Sequence, residues 1–302
     1  MSSLAMRVQS RSQQSAMPAR APWIRTRSSR QNSLLDAFPD DVFERICPHL
    51  ERVDLQLGSW LIDQFGNTEK YASQYVYFPI DAIVALLCVT ASGASTQTAM
   101  VGYEGMVGIS SCIGGDGVPS CAVVQSAGQA FKLPVRLFID EFEGTLEVTQ
   151  ILLRYTQSLI TQIGQTAACN RHHLLEQQLC RWILSSSDRV QGNDLYVTQE
   201  LISNMLGVRR EGVTEAAGHL QRRGMINLSR GCISILDRAA LESHTCECYA
   251  VIKRDTERFL DLATDRATIS LERGWGKNTD HPAKGARSDS VERRRLVSIV
   301  RG

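Results

Sequence analysis

Apolar residues follow two different periodicities along the chain, and the change between them divides it into parts. Between about 53 and 134 they come in short runs separated by turns rich in glycine, such as 114–117. Many short, evenly spaced β-rich runs predict a sandwich or barrel of strands. A helical stretch precedes these runs, and we place the whole sheet domain at 33–143.

The longest helical pattern covers 144–170. A helix of about 25 residues spans roughly 37 Å, and its apolar residues form two neighbouring stripes. This surface is wider than one contact requires, which predicts a helix that covers the barrel and also pairs with a second copy. The alternative is a helix buried within one chain. The residues that we assign to the dimer interface are Val148, Leu152, Tyr155, Leu159 and Ile163.

Two shorter helical patterns meet at a tight turn between Thr198 and Gly224. The first has its apolar residues on one face and ends at Gly207, and the second repeats apolar residues at i, i+3, i+4 and i+7 with charged residues opposite. This arrangement predicts a helix-turn-helix. Two apolar runs around Ser229-Arg230-Gly231 add a hairpin. We therefore predict a winged helix-turn-helix domain over 171–243.

Composition limits where nucleic-acid affinity can come from. The 302 residues suffice for two domains, and 33 Lys and Arg against 32 Asp and Glu leave a net charge of +1. Any charge that attracts DNA must therefore be local. No apolar run reaches the eighteen or so residues that a membrane span needs, so we expect no membrane partner. Nine cysteines without a framework or secretory signal indicate a reducing cytoplasm.

The two ends differ in composition from the rest. The segment 1–32 is rich in Arg, Ser and Gln without an acidic residue, and we interpret it as a disordered basic tail, with an organelle transit peptide as the alternative. The segment 244–302 is predicted to be a C-terminal helix followed by a disordered tail from about 274.

The sequence offers little chemistry for catalysis. It has no phosphate-binding Gly-rich loop with Lys, no Gly-x-Ser-x-Gly and no HExxH, so we expect no enzyme. The fragment from His244 to Cys246 and Cys248 supplies three ligands in a short stretch, and haem ligation by His172 or His173 is a second option. Both compete with incidental or solvent-facing residues. We assign no metal and no cofactor.

Three stretches resemble the Crp/Fnr family of bacterial transcription regulators. They are YVYFPIDAIVALL at 75–87, MVGYEGMVGIS at 100–110 and VTQELISNMLGVRREGVTEAAGHLQRRGMI at 197–226. The resemblance implies an α+β chain with an N-terminal double-stranded, jelly-roll-like β-roll as sensor, a long dimerisation helix and a C-terminal winged helix-turn-helix. It also implies double-stranded operator DNA, a second copy of the chain and RNA polymerase as partners.

The resemblance, together with the charged face of the second helix, assigns residues to DNA contact. Arg210 matches the family's base-reading arginine, whose fork binds guanine O6 and N7, and Glu211 matches its acidic partner. Glu215 stands where some relatives have a basic side chain, which leaves the base preference open. The full set is Thr198, Gln199, Arg209, Arg210, Glu211, Thr214, Glu215, Arg222, Arg223 and Arg230.

The sensor lacks the residues that the resemblance associates with cyclic AMP. Relatives that bind it carry a Gly-Glu pair and an arginine followed by a small polar residue. Here Ile109 follows Gly108, and 114–122 contains no arginine. We therefore expect no tight cyclic-nucleotide binding. The alternative to a DNA-binding regulator is a signalling protein that uses the β-roll for a ligand or partner and does not bind DNA.

Overall fold

The computed structural model describes residues 31–62, 74–113 and 121–264. They fall within one compact unit, Met1–Asp265. The basic tail predicted over 1–32, except for its last two residues, and the tail predicted beyond about 274 lie outside the described residues. The glycine turn at 114–117 lies outside them as well.

The described fold begins with two short helices that close one end of the sheet domain. They are α1, Ser33–Ala37, and α2, Asp40–Ile46. The buried Asn32 side chain accepts a hydrogen bond from the Leu35 amide and donates to the carbonyl oxygens of Pro79, at 2.8 Å, and Gly105, at 3.0 Å. One side chain therefore both caps α1 and fixes it to the sheet domain.

Within the described part of the sheet domain, seven antiparallel strands form two facing sheets. One has the order β1-β7-β3 and the other β2-β6-β4-β5. Their bounds are Glu51–Leu55 for β1, Trp60–Ile62 for β2, Tyr75–Pro79 for β3, Ile83–Val89 for β4, Ser95–Val101 for β5, Cys121–Ser126 for β6 and Gly128–Pro134 for β7. This is the sheet domain that the apolar runs predict. The apolar stretch at 106–109 makes only an isolated bridge, Tyr77 to Val107.

The space between the sheets is filled by apolar side chains. Val76, Phe78, Val84 and Val124 have no exposed surface, and α1 and α3, Val135–Gly144, add further apolar residues to the same core. The sequence pattern does not predict the helix α3. Thr145, with extended backbone at φ −131°, separates α3 from the long helix that follows.

The long helix α4, Leu146–His172, has 27 residues and would span about 40 Å. One side of it lies on the sheet domain, where the Tyr155 hydroxyl donates to the Met106 carbonyl oxygen at 2.6 Å. A Cβ on Gly105 would lie 2.4 Å from the Tyr155 ring, so glycine is required for this close approach. Part of the motif at 100–110 is thereby explained by packing.

The burial of α4 corrects the predicted dimer interface. Val148, Leu152, Tyr155 and Leu159 are at most 7% exposed within one protomer, so these four side chains face the chain's own core. Only Ile163 of the predicted set, 41% exposed, is open to solvent. The periodic pattern identified two stripes correctly, but the stripe chosen for the partner is the one that covers the sheet domain.

The C-terminal part is a winged helix-turn-helix. After α5, Leu175–Ser187, come β8, Asp194–Tyr196, α6, Gln199–Leu206, α7, Arg210–Arg222, β9, Ile226–Ser229, and β10, Cys232–Ile235. The three strands pair in the order β8-β10-β9. The predicted hairpin and the predicted α+β fold class are confirmed.

Two further helices complete the described fold, α8, Arg238–His244, and α9, Glu247–Thr264. The last helix returns along α4 and reaches α1, and the ring of Phe259 lies 5.8 Å from the ring of Tyr155. Phe259 therefore belongs to the apolar core of the sheet domain. No helix among the described residues is long and apolar enough to cross a membrane.

The sheet domain and the C-terminal winged helix-turn-helix, the two halves of the compact unit, share a second apolar core. Residues of β4 and β5 pack there against α5, α6 and α7. Polar side chains cross the same boundary: Trp182 Nε1 donates to Gln97 Oε1 at 2.8 Å, and Arg189 Nε donates to Glu104 Oε1 at 2.6 Å. Because the Arg189 and Glu104 side chains are only 6% and 8% exposed, this ion pair is buried.

Candidate DNA-binding surface

The first helix of the helix-turn-helix is defined by its ends. The Thr198 hydroxyl accepts a hydrogen bond from the Leu201 amide at 3.1 Å, which caps α6. Gly207 ends it in the left-handed conformation, at φ 67°, which glycine adopts without strain. Thr198 and Gly207 therefore act as the sequence predicts, and they fix where the chain turns towards α7.

The second helix, α7, has one buried and one open face. Val213, Ala216, Ala217 and Leu220 are at most 4% exposed and pack into the core shared with α6. The opposite face is exposed. It presents Arg209, Arg210, Glu211, Thr214 and Glu215 to solvent. The charged first turn is thus available to a partner while the apolar face fixes the orientation of the helix.

A hydrogen bond connects the exposed starts of the two helices. The Thr214 hydroxyl donates to Gln199 Oε1 at 2.9 Å and also lies 3.0 Å from the Arg210 carbonyl oxygen. Gln199 is partly buried, whereas Thr214 is exposed. These two predicted site residues are therefore brought together, and they hold the start of α6 beside the outward face of α7.

The wing places one arginine at its tip. Ser229 of β9 pairs with Cys232 of β10, so Arg230 and Gly231 form a two-residue turn, with Gly231 at φ 74°. Arg230 is exposed. The Leu228 amide donates to Gln221 Oε1 at 3.3 Å, which ties the wing to α7.

The two arginines at the end of α7 differ in their surroundings. Arg222 and Arg223 are both exposed, but Arg223 Nη1 also lies 4.0 Å from Glu176 Oε2 and 3.3 Å from the His244 ring. Glu176 also bonds His219 and His244, and the hydrogen bond from His219 is the main reason that its pKa is lowered. Arg223, which the sequence assigns to DNA contact, thus already has a carboxylate within reach.

The two glycines inside α7 have different surroundings. A Cβ on Gly212 would lie 3.0 Å from the end of the Leu175 side chain, so α7 approaches α5 closely there. A Cβ on Gly218 would meet only Arg222 Nη1, at an ordinary 3.6 Å. Neither glycine is explained by contact with α6.

The structure also assembles a group of possible metal ligands away from this surface. The ligand atoms of Cys169, His173, Cys246 and Cys248 all lie within 4.8 Å of one another. In the sequence, Cys246 and Cys248 stand close to His244 and form a possible ligand fragment with it. In the structure, His244 Nε2 lies 3.0 Å from Glu176 Oε2 instead. Sequence reasoning misses Cys169 because it is 77 positions away from Cys246 along the chain.

These features define a chain with a sheet domain, a long helix and a winged helix-turn-helix, and comparisons with known proteins agree with this fold. Residues 177–244 match the model of the Crp-like helix-turn-helix domain. The C-terminal part of the chain is therefore a Crp-like helix-turn-helix domain, as the resemblance at 197–226 predicted. No curated protein sequence matches the chain.

Solved structures extend the similarity beyond the helix-turn-helix domain. A protein assigned to the Crp/Fnr regulators, from Eubacterium rectale, is 16% identical with a TM-score of 0.56, and the match covers 71% of this chain and 98% of that one. FixK2 from Bradyrhizobium japonicum is 13% identical with a TM-score of 0.55, covering 65% and 98%. A transcriptional regulator of the CRP family from Thermus thermophilus is 17% identical with a TM-score of 0.51, covering 64% and 95%. At these identities the likeness is one of fold.

Proposed function

We propose that the chain is a homodimeric, sequence-specific DNA-binding transcription regulator of the Crp/Fnr type. The observation that carries the proposal is the outward face of α7, where Arg209 and Arg210 stand exposed on a helix whose other face is fully packed. The net charge of +1 gives no general affinity for nucleic acid. A local basic surface on a rigid helix is what a major groove requires.

Five of the exposed residues have a role that their chemistry supports. Arg210 would read a guanine through the two parallel hydrogen bonds of its guanidinium. Arg209, Arg222 and Arg230 would contact phosphates and fix the register without reading sequence. The Thr198 hydroxyl already accepts the capping bond, so its hydrogen remains to donate to a phosphate oxygen.

The exposed side of α4 supports the proposal that two copies of the chain pair. Leu146, Leu153 and Ile160 are 68%, 59% and 57% exposed and recur every seven residues. Gly164 lies one turn after Ile160, and the space where a Cβ would stand is open. A second helix can therefore approach closely there. Residues seven apart lie on one face of a helix, as one of the two seam positions of a coiled coil does, and Ile163, 41% exposed, lies at the spacing of the other position. We therefore propose that two copies of α4 pair along this face and set two copies of α7 one helical turn of DNA apart.

Selection of bound fragments from random DNA, followed by sequencing, tests the function. We expect an enriched, near-palindromic motif that the purified full-length chain binds more tightly than scrambled DNA in fluorescence anisotropy. Affinity should fall steeply with added salt because phosphate contacts release counterions. No enrichment over the input pool, with scrambled DNA bound equally well, would favour a signalling protein that does not bind DNA.

The sensor is proposed to respond to something other than cyclic AMP. The apolar core between its two sheets is lined by side chains such as Val84, Val101 and Met106. These side chains have no positive charge and no hydrogen-bond donor for a phosphate. Isothermal titration calorimetry of the full-length protein with cyclic AMP should show no binding at micromolar concentrations. A dissociation constant in the low micromolar range would contradict this expectation.

A further inference from the structure

Four side chains with metal-binding atoms meet where α4 ends and α9 begins. Cys169 lies in the last turn of α4 and His173 caps the end of that helix, while Cys246 precedes α9 and Cys248 lies in its first turn. The sulfur atoms of Cys169 and Cys246 are 3.5 Å apart, and Cys248 Sγ is 3.6 Å from His173 Nδ1.

These distances fit a single tetrahedral ion. Zinc binds thiolate sulfur at about 2.3 Å, so two ligand atoms around one tetrahedral ion are separated by about 3.8 Å. All four donor atoms here lie within 4.8 Å of one another. Three sulfurs and one imidazole nitrogen are a ligand set that structural zinc sites use. The spacing is too small to enclose a cluster of several iron atoms.

The three cysteines are buried apart from both apolar cores. Cys169, Cys246 and Cys248 are 0%, 4% and 2% exposed and form a small group of their own. His173 closes the group from the solvent side, with 18% of its side chain exposed. Three thiols packed against each other gain little from apolar contact, so packing alone does not account for the group.

The side chains around the group are of the kinds that surround metal ligands in proteins. Glu247 Oε1 lies 3.3 Å from His173 Nε2, which leaves Nδ1 facing the sulfurs. A carboxylate on the outer nitrogen of a ligating histidine is the usual way to orient the ring and raise its basicity. The buried Arg181 donates from Nε to Cys169 Sγ at 3.2 Å. An arginine buried against sulfur is stabilised when that sulfur is negatively charged.

We propose that Cys169, His173, Cys246 and Cys248 bind one Zn²⁺ ion, which clamps the start of α9 to the end of α4. On binding, the thiols release their protons to solvent and the histidine binds as the neutral ring. Three thiolates and Zn²⁺ leave one negative charge, which Arg181 balances. A disulfide between Cys169 and Cys246 would leave Cys248, His173 and Arg181 without a role, so the metal explains more of the group.

The test uses full-length protein purified without chelator under reducing conditions. Mass spectrometry of the metal content should find about one zinc per chain in the wild type. X-ray absorption at the zinc edge should find three sulfur neighbours and one nitrogen. Cys169→Ala and Cys246→Ala should each lose the zinc, whereas Cys112→Ala, a buried cysteine in the sheet domain, should keep it.

If the variants do not fold, a measurement on the wild type alone still tests the site. Anaerobic titration of metal-free protein with Co²⁺ should produce the charge-transfer absorption of cobalt thiolate with an end point at one equivalent. Absence of zinc together with absence of cobalt uptake would overturn the proposal. Iron in place of zinc, or a Cys169–Cys246 disulfide in the reduced preparation, would overturn it equally.

Discussion

Arg210 and Arg222 stand at opposite ends of α7, and we predict different effects of removing them. Arg210→Ala should cost about 1–3 kcal/mol on the selected motif and little on random DNA, because a bidentate contact with one base is lost. Arg222→Ala should weaken both DNAs alike and reduce the salt slope by about one, because a phosphate contact is lost. Fluorescence anisotropy over a salt series separates the two. Equal losses on both DNAs for both variants would contradict the roles.

Gly218 stands in α7 without a packing reason. Gly218→Ala should raise the free energy of unfolding by roughly 0.5–1 kcal/mol, since alanine is the better helix former and its Cβ has room. Gly212→Ala is the matched comparison and should gain less, because Leu175 must move. Chemical denaturation measures both. A Gly218→Ala variant less stable than the wild type would show that this face of α7 is not open.

At the scale of elements, the exposed stripe of α4 predicts the oligomeric state. Leu153→Lys should convert the dimer to a monomer because a charge would lie in the centre of the proposed seam. The protomer should keep its stability, since Leu153 does not face the core. Leu236→Lys, at another exposed leucine, is the control and should leave the dimer intact. Sedimentation velocity distinguishes the outcomes, and a Leu153→Lys dimer would place the interface elsewhere.

The helix-turn-helix is predictable because its signals are local. Thr198, Gly207 and the apolar spacing of α6 and α7 act within a few residues of one another, so the sequence order carries the geometry. The orientation of α4 is not predictable in this way, because both of its stripes are apolar. Tyr155 faces inward because of Met106 and Phe259, which are distant in sequence.

The proposed metal ligands cannot be predicted from the sequence for the same reason, because they come from distant parts of the chain. Cys246 and Cys248 are visible as a pair, but the sequence does not show that α9 returns to the end of α4. That return brings Cys169 and His173 to them and leaves His244 at Glu176. The local fragment therefore contains two of the proposed cysteine ligands but not the histidine that lies beside them in the structure.

At the scale of the whole molecule, the buried pair of Glu104 and Arg189 joins the two halves of the compact unit. Glu104→Gln should destabilise the protein by about 3–5 kcal/mol, because Arg189 would remain charged in a dry environment. Asp41→Asn breaks the exposed pair with Arg45 and should change the stability far less, because water screens both charges. Thermal unfolding compares the two. Similar small losses would mean that water reaches Arg189.

The course of α9 has a consequence for synthesis on the ribosome. Phe259 completes the core of the sheet domain beside Tyr155, yet it is translated after the whole winged helix-turn-helix. Part of the apolar surface of the nascent sheet domain therefore stays uncovered until nearly all of the described chain has emerged. A protein truncated after α8 would keep that exposed surface permanently, which makes it a target for chaperones and proteases.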